Sequence, residues 1–258
     1  MQITTTSRPN RRPADRAVAE LNASDQPYHC VWNEESDSVL IVFRGMPLTP
    51  TEWIPFQMVR TTIDLPCSKI YVRDFARAWY HQGLQGHSIA IDDTAALLLD
   101  QILARPHIKR IATTGVSAGG YAAFLFGYLM QVDEAHGFSP QTYIDVDNRI
   151  KNNDFLMEDY LPNVYGHPHL QADYLDLKPL FASKANTSTR CFIHYDRQHP
   201  SDKANAEHFN GVPNTYHRVY QEGGHQVARH LKNLGKIDAV FDDMLAGTSE
   251  KRDIHYDY

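Results

Sequence analysis

Short runs of consecutive apolar and β-branched residues recur along the chain, separated by stretches with helical spacing. Five of these runs predict β-strands, at residues 38–43, 69–72, 108–113, 190–195 and 216–220. Strands that are apolar on both faces are typical of the centre of a parallel sheet, because helices cover both sides of such a sheet. The pattern therefore favours buried parallel strands over a half-exposed antiparallel sheet.

The segments between these runs carry apolar residues at the spacing of an α-helix. One continuous helical face, with the spacing i, i+3, i+4, i+7 and i+8, is predicted from Ala95, Leu98, Leu99, Ile102 and Leu103. Further helices are predicted at residues 118–130, 201–209 and 226–234, the last of them ending before Gly235. Strands that alternate with helices form βαβ units, so we expect an α/β fold with a mostly parallel central sheet and helices on both faces.

Length and composition divide the chain into one large domain with smaller attachments. A chain of 258 residues is compatible with a single α/β domain, which we place at residues 26–250. Residues 1–25 are polar and predict a loose N-terminal arm, and residues 251–258 predict a tail. Residues 144–185 are rich in Asp, Asn, Tyr, His and Pro, and we interpret them as a short irregular cap over the carboxyl edge of the sheet.

Charge and cysteine content argue against several classes of protein. The 25 basic and 31 acidic residues give a net charge of −6, whereas a nucleic-acid binder needs a basic face. No run approaches the ~18 apolar residues of a membrane span. The N-terminal segment lacks the apolar centre of a secretory signal, so we expect a cytoplasmic protein. Cys30, Cys67 and Cys191 are widely spaced, which favours reduced thiols over a disulfide framework or a zinc site.

The sharpest chemical signal is the segment Gly115-Val116-Ser117-Ala118-Gly119. It follows a predicted strand and precedes a predicted helix, and a turn this tight strains the serine backbone and requires glycine on either side. Ser117 would then project its Oγ above the sheet edge as a nucleophile. The N–H of Ala118, at the start of the helix, is placed to stabilise an oxyanion. An ordinary turn of small residues is the alternative.

A histidine and an acid should follow this serine in chain order, each after a late strand. His225 follows the last predicted strand and is the candidate base, although it would also suit a helix start. Asp196 and Asp202 share the loop after the preceding strand. We prefer Asp202, because the acid must reach across the loop to the Nδ1–H of His225, but an acidic residue there also stabilises a helix dipole. Asp145 is a third candidate.

A second oxyanion donor is expected after the first predicted strand, in Arg44-Gly45-Met46-Pro47. Gly45 lets the backbone approach a ligand closely. We favour the N–H of Met46 over that of Arg44, because the glycine precedes the bend and Pro47 has no N–H to donate. An ordinary strand-ending turn is the alternative interpretation.

Taken together, these residues resemble the α/β-hydrolase superfamily over about residues 38–245. The resemblance implies a single-domain α/β-hydrolase fold and a serine hydrolase or acyltransferase of the esterase, lipase and thioesterase kind. Ser117 would attack a carbonyl, His225 would move the proton and Asp202 would orient His225. The chain departs from the usual pattern at Arg44, where the family has a histidine before the glycine, and at Asp196, where it has a glycine.

The preferred function is therefore a serine hydrolase that cleaves an ester or thioester through an acyl-enzyme. We expect no cofactor and no metal, since His167 and His169 lack a carboxylate that completes a metal site. The polar cap favours a small-molecule or glycan-linked acyl substrate over a triglyceride. An acyltransferase and a non-catalytic binding protein of the same fold are the alternatives. Residues 73–84 either line the pocket or pack as a loop with Trp79 in the core, and the sequence carries no signal for an oligomeric state.

Overall fold

The strands assemble into one sheet of eight. A computed structural model describes residues 11–47, 49, 51–183 and 188–258 of the chain. The strands are β1 (Tyr28–Val31), β2 (Ser38–Phe43), β3 (Ser68–Val72), β4 (Arg110–Val116), β5 (Glu134–Phe138), β6 (Arg190–Asp196), β7 (Thr215–Tyr220) and β8 (Ile254–His255). Their spatial order is β1-β3-β2-β4-β5-β6-β7-β8, and every neighbouring pair is parallel except β1 with β3. The carboxyl ends of β2 to β7 therefore meet at one edge.

Ten α-helices accompany the sheet within the described ranges. They are α1 (Arg11–Ala23), α2 (Val59–Thr62), α3 (Ile91–Leu103), α4 (Ala118–Met130), α5 (Val146–Lys151), α6 (Leu161–Tyr165), α7 (Leu177–Ala182), α8 (Pro200–His208), α9 (Val227–Asn233) and α10 (Ile237–Ala246). Short 3-10 turns lie at Glu158–Tyr160, Ala172–Tyr174 and Gly224–Gln226. Among the helices that the structure describes, none has the length and hydropathy needed to cross a membrane.

Two hydrophobic layers cover the two faces of the sheet. Along β2, Val39, Ile41 and Phe43 point into the layer that contains α3 and α4, whereas Leu40 and Val42 point into the layer that contains α9 and α10. Because side chains alternate between faces, a strand buried on both must be apolar at every position. This arrangement confirms the predicted mostly parallel sheet with helices on both faces.

The strongest predicted elements agree with the structure. β2 has the predicted bounds, and β3, β6 and β7 each differ by one residue at one end. β4 begins two residues later than predicted and continues to Val116, so that it ends directly before Ser117. Helix α4 has the predicted bounds and follows Ser117 at once. Strands β1, β5 and β8 and helix α10 were not predicted.

Both terminal segments differ from the prediction where the structure describes them, and residues 1–10 of the expected arm lie outside the described residues. The expected loose arm contains helix α1, whose Leu21 is buried and whose Asn22 side chain accepts the N–H of Phe56. The expected tail contains β8, which pairs with β7, and the Tyr256 ring stacks 4.9 Å from the ring of Tyr220. Each segment is polar by itself, but a few apolar contacts and backbone hydrogen bonds with the domain are sufficient to order it.

The predicted face of α3 needs one correction. Leu98 and Ile102 are buried, but Leu103 is 66% exposed, and Ile91 and Thr94 are buried instead. The helix begins at Ile91, four residues before the apolar pattern. Its buried face therefore extends toward the N-terminus and excludes Leu103. The short helices α5, α6 and α7 lie in the region predicted as an irregular cap; residues 184–187 of that region lie outside the described residues.

Candidate active site

Ser117 occupies the junction between β4 and α4 in a strained conformation. Its φ is 58° and its ψ is −122°, a backbone geometry that L-residues rarely adopt. The N–H of Ser117 donates to the carbonyl of Phe138 at the end of β5, and its own carbonyl accepts from Gly120 and Tyr121 in the first turn of α4. The strain is therefore held in place by hydrogen bonds on both sides of the residue.

The glycines around Ser117 are required by close backbone approach. A Cβ on Gly115 would lie 2.1 Å from the carbonyl oxygen of Gly119, and a Cβ on Gly119 would lie 2.4 Å from the carbonyl oxygen of Phe43. Both distances are shorter than contacting atoms allow, so neither position accepts a side chain. This is the packing that the sequence pattern predicted for a tight turn from strand to helix.

The loop after β2 packs directly on this turn. A Cβ on Gly45 would lie 2.4 Å from the carbonyl oxygen of Val116, and the Gly45 N–H donates to Gln57 Oε1 at 3.0 Å. The Arg44 carbonyl accepts from the hydroxyl of Tyr80 at 2.8 Å. The predicted oxyanion donors therefore lie on two segments in contact. Within the described part of the chain, neither the N–H of Met46 nor the N–H of Ala118 donates a hydrogen bond.

His225 and Asp202 are hydrogen-bonded to each other. His225 lies in the 3-10 turn after β7, and its Nδ1 is 2.7 Å from Asp202 Oδ1. Asp202 lies in the first turn of α8 and is 2% exposed, whereas the His225 side chain is 31% exposed. A buried carboxylate beneath a partly exposed imidazole is the arrangement that holds a histidine in one tautomer, with Nε2 free to accept a proton.

The charge of Asp202 decides the protonation of His225. Burial of the ring lowers the pKa of His225, but the hydrogen bond and negative charge of Asp202, aided by the charge of Asp154, outweigh burial and raise this pKa above its usual 6.5. A histidine with a raised pKa is a stronger base when neutral, but it becomes neutral only at higher pH.

The other two aspartates considered for the acid have structural partners. Asp196 accepts the N–H of Gln198 at 2.7 Å and the N–H of Gly224 at 2.8 Å. Because Gly224 directly precedes His225, this carboxylate fixes the loop that carries the histidine. Asp145 caps α5 by accepting the Asn148 N–H at 2.9 Å. Of the three candidates, only Asp202 contacts His225.

The structure does not bring every predicted group together. Among the described residues, no hydrogen bond joins the Ser117 hydroxyl to the ring of His225, and Ser117 contributes backbone hydrogen bonds only. Both residues lie at the carboxyl edge of the sheet, after β4 and β7 respectively, and β5 and β6 lie between those two strands. Hydrogen bonds between a nucleophile and its base are often long without substrate and shorten when substrate binds.

Three further polar residues near this pair had no sequence signal. His199 Nδ1 lies 3.1 Å from Asp202 Oδ1 and accepts the Asp202 N–H. Asp154 is 3% exposed and accepts from Asn205, which lies on the same helix as Asp202. Arg149 is also 3% exposed, and no described residue accepts a hydrogen bond from its two terminal nitrogens. In the sequence, all three are indistinguishable from the many other polar residues of irregular segments.

The segment at residues 73–84 is a packed loop. The Asp74 carboxylate accepts the N–H groups of Ala76, Ala78 and Tyr80, and burial raises the pKa of Asp74 despite these bonds. Trp79 is fully buried and donates to Gln141 Oε1 at 2.6 Å. Trp79 therefore lies in the core, as one interpretation of this segment placed it, while Phe75 and Arg77 of the same segment line a surface pocket.

One group of side chains has the geometry to hold a metal ion. Donor atoms of His199, Asp202 and His225 lie within 4.8 Å of one another, and no other such group of three occurs in the described ranges. Two imidazoles and a carboxylate are a donor set that Zn²⁺ accepts. A metal bound there would take the Asp202 oxygen that His225 uses, so the ion and the hydrogen-bonded pair exclude each other.

Comparisons with known proteins identify the fold. No protein-family model matches the chain, and no curated protein sequence matches it. The capsule O-acetyltransferase of Neisseria meningitidis serogroup A aligns over 85% of this chain and 98% of its own, with a TM-score of 0.58 and 12% identity.

Two solved structures with esterase in their names are also similar. An esterase of Pyrococcus furiosus aligns over 96% of both chains, with a TM-score of 0.53 and 13% identity. A lipase-esterase related protein of Clostridium acetobutylicum aligns over 85% of this chain and 99% of its own, with a TM-score of 0.51 and 16% identity. The sheet order, the strained serine and these three neighbours agree, and the chain has the α/β-hydrolase fold.

Proposed function

We propose that the protein is a serine hydrolase that cleaves a carboxylic ester or thioester through an acyl-enzyme. The observation that carries this proposal is the pairing of a strained, glycine-flanked Ser117 with a His225–Asp202 hydrogen bond of 2.7 Å at the same sheet edge. Strain in a backbone is retained where surrounding contacts enforce it, and such sites are commonly functional. A turn with no chemical role would not need the strained serine or the buried acid behind the histidine.

In the first half of the reaction, Ser117 Oγ attacks the carbonyl carbon of the substrate. The hydroxyl proton moves to His225 Nε2, and Asp202 stabilises the imidazolium that forms. The N–H groups of Ala118 and Met46 bind the developing oxyanion, each contributing about 3 to 4 kcal/mol of transition-state stabilisation. The tetrahedral intermediate then collapses, the leaving alcohol or thiol takes the proton from His225, and the acyl group remains on Ser117.

In the second half, an acceptor hydroxyl attacks the acyl-enzyme and His225 removes its proton. If the acceptor is water, the product is a free acid and the enzyme is a hydrolase. If it is a substrate hydroxyl, the enzyme is an acyltransferase, and the structural likeness to a capsule O-acetyltransferase supports this as the second candidate. The groups required are the same in both cases.

The surroundings of the pair favour a polar substrate. The Arg149 carbonyl accepts the N–H of Asp154, whose charge acts on His225, and the two terminal nitrogens of the buried Arg149 have no acceptor in the described part of the chain. A buried polar group without a partner is costly, so a bound group that accepts hydrogen bonds from Arg149 is expected. A small-molecule or glycan-linked acyl ester meets this requirement better than a triglyceride.

Product analysis distinguishes the two candidates. The protein is incubated with p-nitrophenyl acetate, first in buffer and then with saccharide hydroxyl acceptors, and the products are separated by mass spectrometry. A hydrolase releases acetate at the same rate in both conditions, whereas an acyltransferase forms acetylated acceptor at the expense of acetate. Failure of wild type to release p-nitrophenol above the level of Ser117→Ala would instead support a non-catalytic binding protein.

A further inference from the structure

A surface pocket of about 640 Å³ lies beside the loop that carries the predicted oxyanion donor. Its lining includes Trp53, Phe75, Arg77, Gln85 and His87. The size is within the range of small-molecule sites, and the lining mixes aromatic surface with hydrogen-bonding groups. None of the proposed catalytic residues lines this pocket, so it has no role in the bond-making steps described above.

The aromatic wall of the pocket is exposed and yet firmly held. Trp53 is 54% exposed, and its ring packs against Phe75 with centroids 5.8 Å apart. Behind both rings lies the Arg73 guanidinium, 4.6 Å from the Phe75 centroid and 5.2 Å from the Trp53 centroid. An indole that is fixed from behind and open in front offers a flat apolar surface to a ligand.

Arg73 also ties the two sides of the pocket together. It is fully buried, and its nitrogens donate to the carbonyls of Gln26 and Ile54, each at 3.0 Å, and to the carbonyl of Ser24. The chain segment before β1 and the segment that carries Trp53 are thus joined through one side chain. The pocket is therefore a built feature of the fold, and its polar groups keep a fixed relation to the indole.

The remaining lining identifies the kind of ligand that fits. Gln85, Gln26 and His87 supply donors and acceptors, and His87 already bonds Gln26 at 3.1 Å. Asp25 and Glu52 add two negative charges against the one positive charge of Arg77, and this balance disfavours phosphate and other anions. The polar rim disfavours an acyl chain. A sugar ring is neither an anion nor an acyl chain, and it fits this lining. Its C–H face stacks on an aromatic ring while its hydroxyls bond to amides and carboxylates.

The location of the pocket relates it to the candidate active site. Phe75 and Arg77 follow β3, and Trp53 follows the Gly45 loop that packs on the Ser117 turn. In the sheet, β3 is two strand spacings from β4, which is about 10 Å. A ligand in the pocket would therefore lie at the same sheet edge as Ser117, two strand spacings or more from β4.

We propose that this pocket binds a sugar ring of the substrate, distal to the ester that Ser117 attacks. The proposal deepens the proposed function and rests on it for the identity of the reacting group, but sugar binding itself requires no catalysis. The pocket would select esters carried on a saccharide, whereas small esters would react without using it.

Binding is measured first, with the full chain carrying Ser117→Ala on an array of neutral, N-acetylated and acidic oligosaccharides. Saccharides that bind are then titrated calorimetrically. We expect neutral or N-acetylated saccharides to bind, and Trp53→Ala to weaken binding at least 10-fold. Gln85 is exposed, so Gln85→Ala leaves the aromatic wall intact and should weaken saccharide binding several-fold. This second variant tests the proposal if Trp53→Ala fails to fold.

Trp32→Phe is the matched control, because Trp32 packs under Arg105 after β1, at the opposite edge of the sheet. Binding should be unchanged in this variant. Absence of binding by every saccharide on the array would overturn the proposal, as would binding that neither Trp53→Ala nor Gln85→Ala weakens. Calorimetric binding of nucleosides, without binding of any saccharide, would overturn the proposal in favour of a site that stacks nucleobases.

Activity assays separate this proposal from the proposed function. With Trp53→Ala, kcat/KM for p-nitrophenyl acetate should match wild type, while kcat/KM for acetyl esters of the bound saccharide should fall at least 10-fold. Reaction of the wild type with a fluorophosphonate probe reports on Ser117 alone. Saccharide binding in a protein that the probe does not label would contradict the hydrolase and still support the sugar pocket.

Discussion

Two carboxylate–histidine systems lie on the same sheet, one at its carboxyl edge and one in its interior. At the edge, His225 bonds Asp202 through Nδ1, and in the described ranges its Nε2 has no hydrogen-bond partner. In the interior, His136 bonds Glu134 through Nε2 at 3.1 Å and His194 through Nδ1 at 3.1 Å. The carboxylate is common to both systems, so what makes a histidine available for chemistry is the unoccupied second nitrogen and access to the sheet edge.

The interior system is a closed series of hydrogen bonds across β5, β6 and β7. His194 Nδ1 bonds the hydroxyl of Tyr220 at 2.9 Å. If Glu134 is ionised, His136 donates to it from Nε2 and accepts on Nδ1 from the Nε2–H of His194, whose Nδ1 accepts from Tyr220. Both neutral rings therefore carry their proton on Nε2. Every polar atom of the two rings is then satisfied, and no nitrogen is left to take a proton from a substrate.

Electrostatics separate the two systems in the same way. Burial lowers the pKa of His136 and lowers that of His194 well below 6.5, although Glu134 acts in the opposite direction on His136. For His225, the charge of Asp202 overcomes burial and the pKa is raised. The folded protein therefore favours the neutral form of the interior histidines and the charged form of His225.

The largest expected effect is on activity, from Asp202→Asn. The substitution removes the acceptor for the His225 Nδ1–H, so we expect kcat to fall by about 10⁴-fold while the protein remains folded. Ester turnover and circular dichroism measure the two quantities. His208→Ala is the control, since His208 Nε2, at the end of α8, lies 2.7 Å from Asp176 Oδ1 in the cap, the same distance as in the edge pair. Equal losses in the two variants would contradict the special role of the edge pair.

The corresponding change in the interior should affect stability and not chemistry. Glu134 is fully buried and accepts from Arg190, His136 and Ser249, with Arg110 2.9 Å away. Removing one member of such a network leaves buried charges uncompensated, so Glu134→Gln should lower the free energy of unfolding by about 3 to 5 kcal/mol.

Urea unfolding measures this change in Glu134→Gln, and active-site titration gives the rate per folded molecule. We expect that rate to equal the wild-type rate. A stable variant with reduced turnover would mean that the interior system takes part in the reaction, and the distinction between the two systems would fail.

Stability should rise with pH because of the interior histidines. Burial lowers both pKa values in the folded protein, whereas in the unfolded chain both rings bind protons below about pH 6.5. The unfolded state therefore binds more protons in acid, and the free energy of unfolding should fall as pH drops below 6.5, by up to about 1.4 kcal/mol per pH unit for each histidine. His194→Gln should remove part of this slope between pH 4.5 and 6.5. An unchanged slope would contradict the neutral state of His194.

The smallest expected effect is a shift in the pH dependence of kcat/KM. His225 must be neutral to act as a base, so the acid limb should lie above pH 6.5, where its pKa is raised. The charge of Asp154 contributes to this increase, and Asp154→Asn should move the limb to lower pH by less than about one unit. The same shift is not expected for Asp145→Asn, because no charge of Asp145 acts on His225. A limb that does not move would exclude electrostatic coupling with Asp154.

The sequence predicted best where local pattern decides the structure. The run at residues 38–43 is apolar after Ser38 and the helix at residues 118–130 is apolar over most of its length, and both have the predicted bounds. The tight turn at Ser117 was also predictable, because glycine spacing reports directly on close backbone approach. His225 and Asp202 could be nominated from chain order, and their mutual contact could not.

Long-range pairing explains most of what was missed. β5 reads Glu134-Ala135-His136-Gly137-Phe138, and a buried glutamate and histidine do not look like a central strand until their partners on distant segments are known. β8 is two residues long and exists only as an edge partner of β7. The Trp53 pocket is formed by four separated segments, two of which Arg73 joins, so no local pattern indicates it.

The central claim is that Ser117 is an activated nucleophile, and covalent labelling tests it most directly. Wild type, Ser117→Ala and His225→Ala are treated with a fluorophosphonate probe, and the modified peptide is identified by mass spectrometry. We predict a single adduct on Ser117 of the wild type and no adduct in either variant. A folded wild type that stays unlabelled and does not turn over p-nitrophenyl acetate, or an adduct on another residue, would contradict the account.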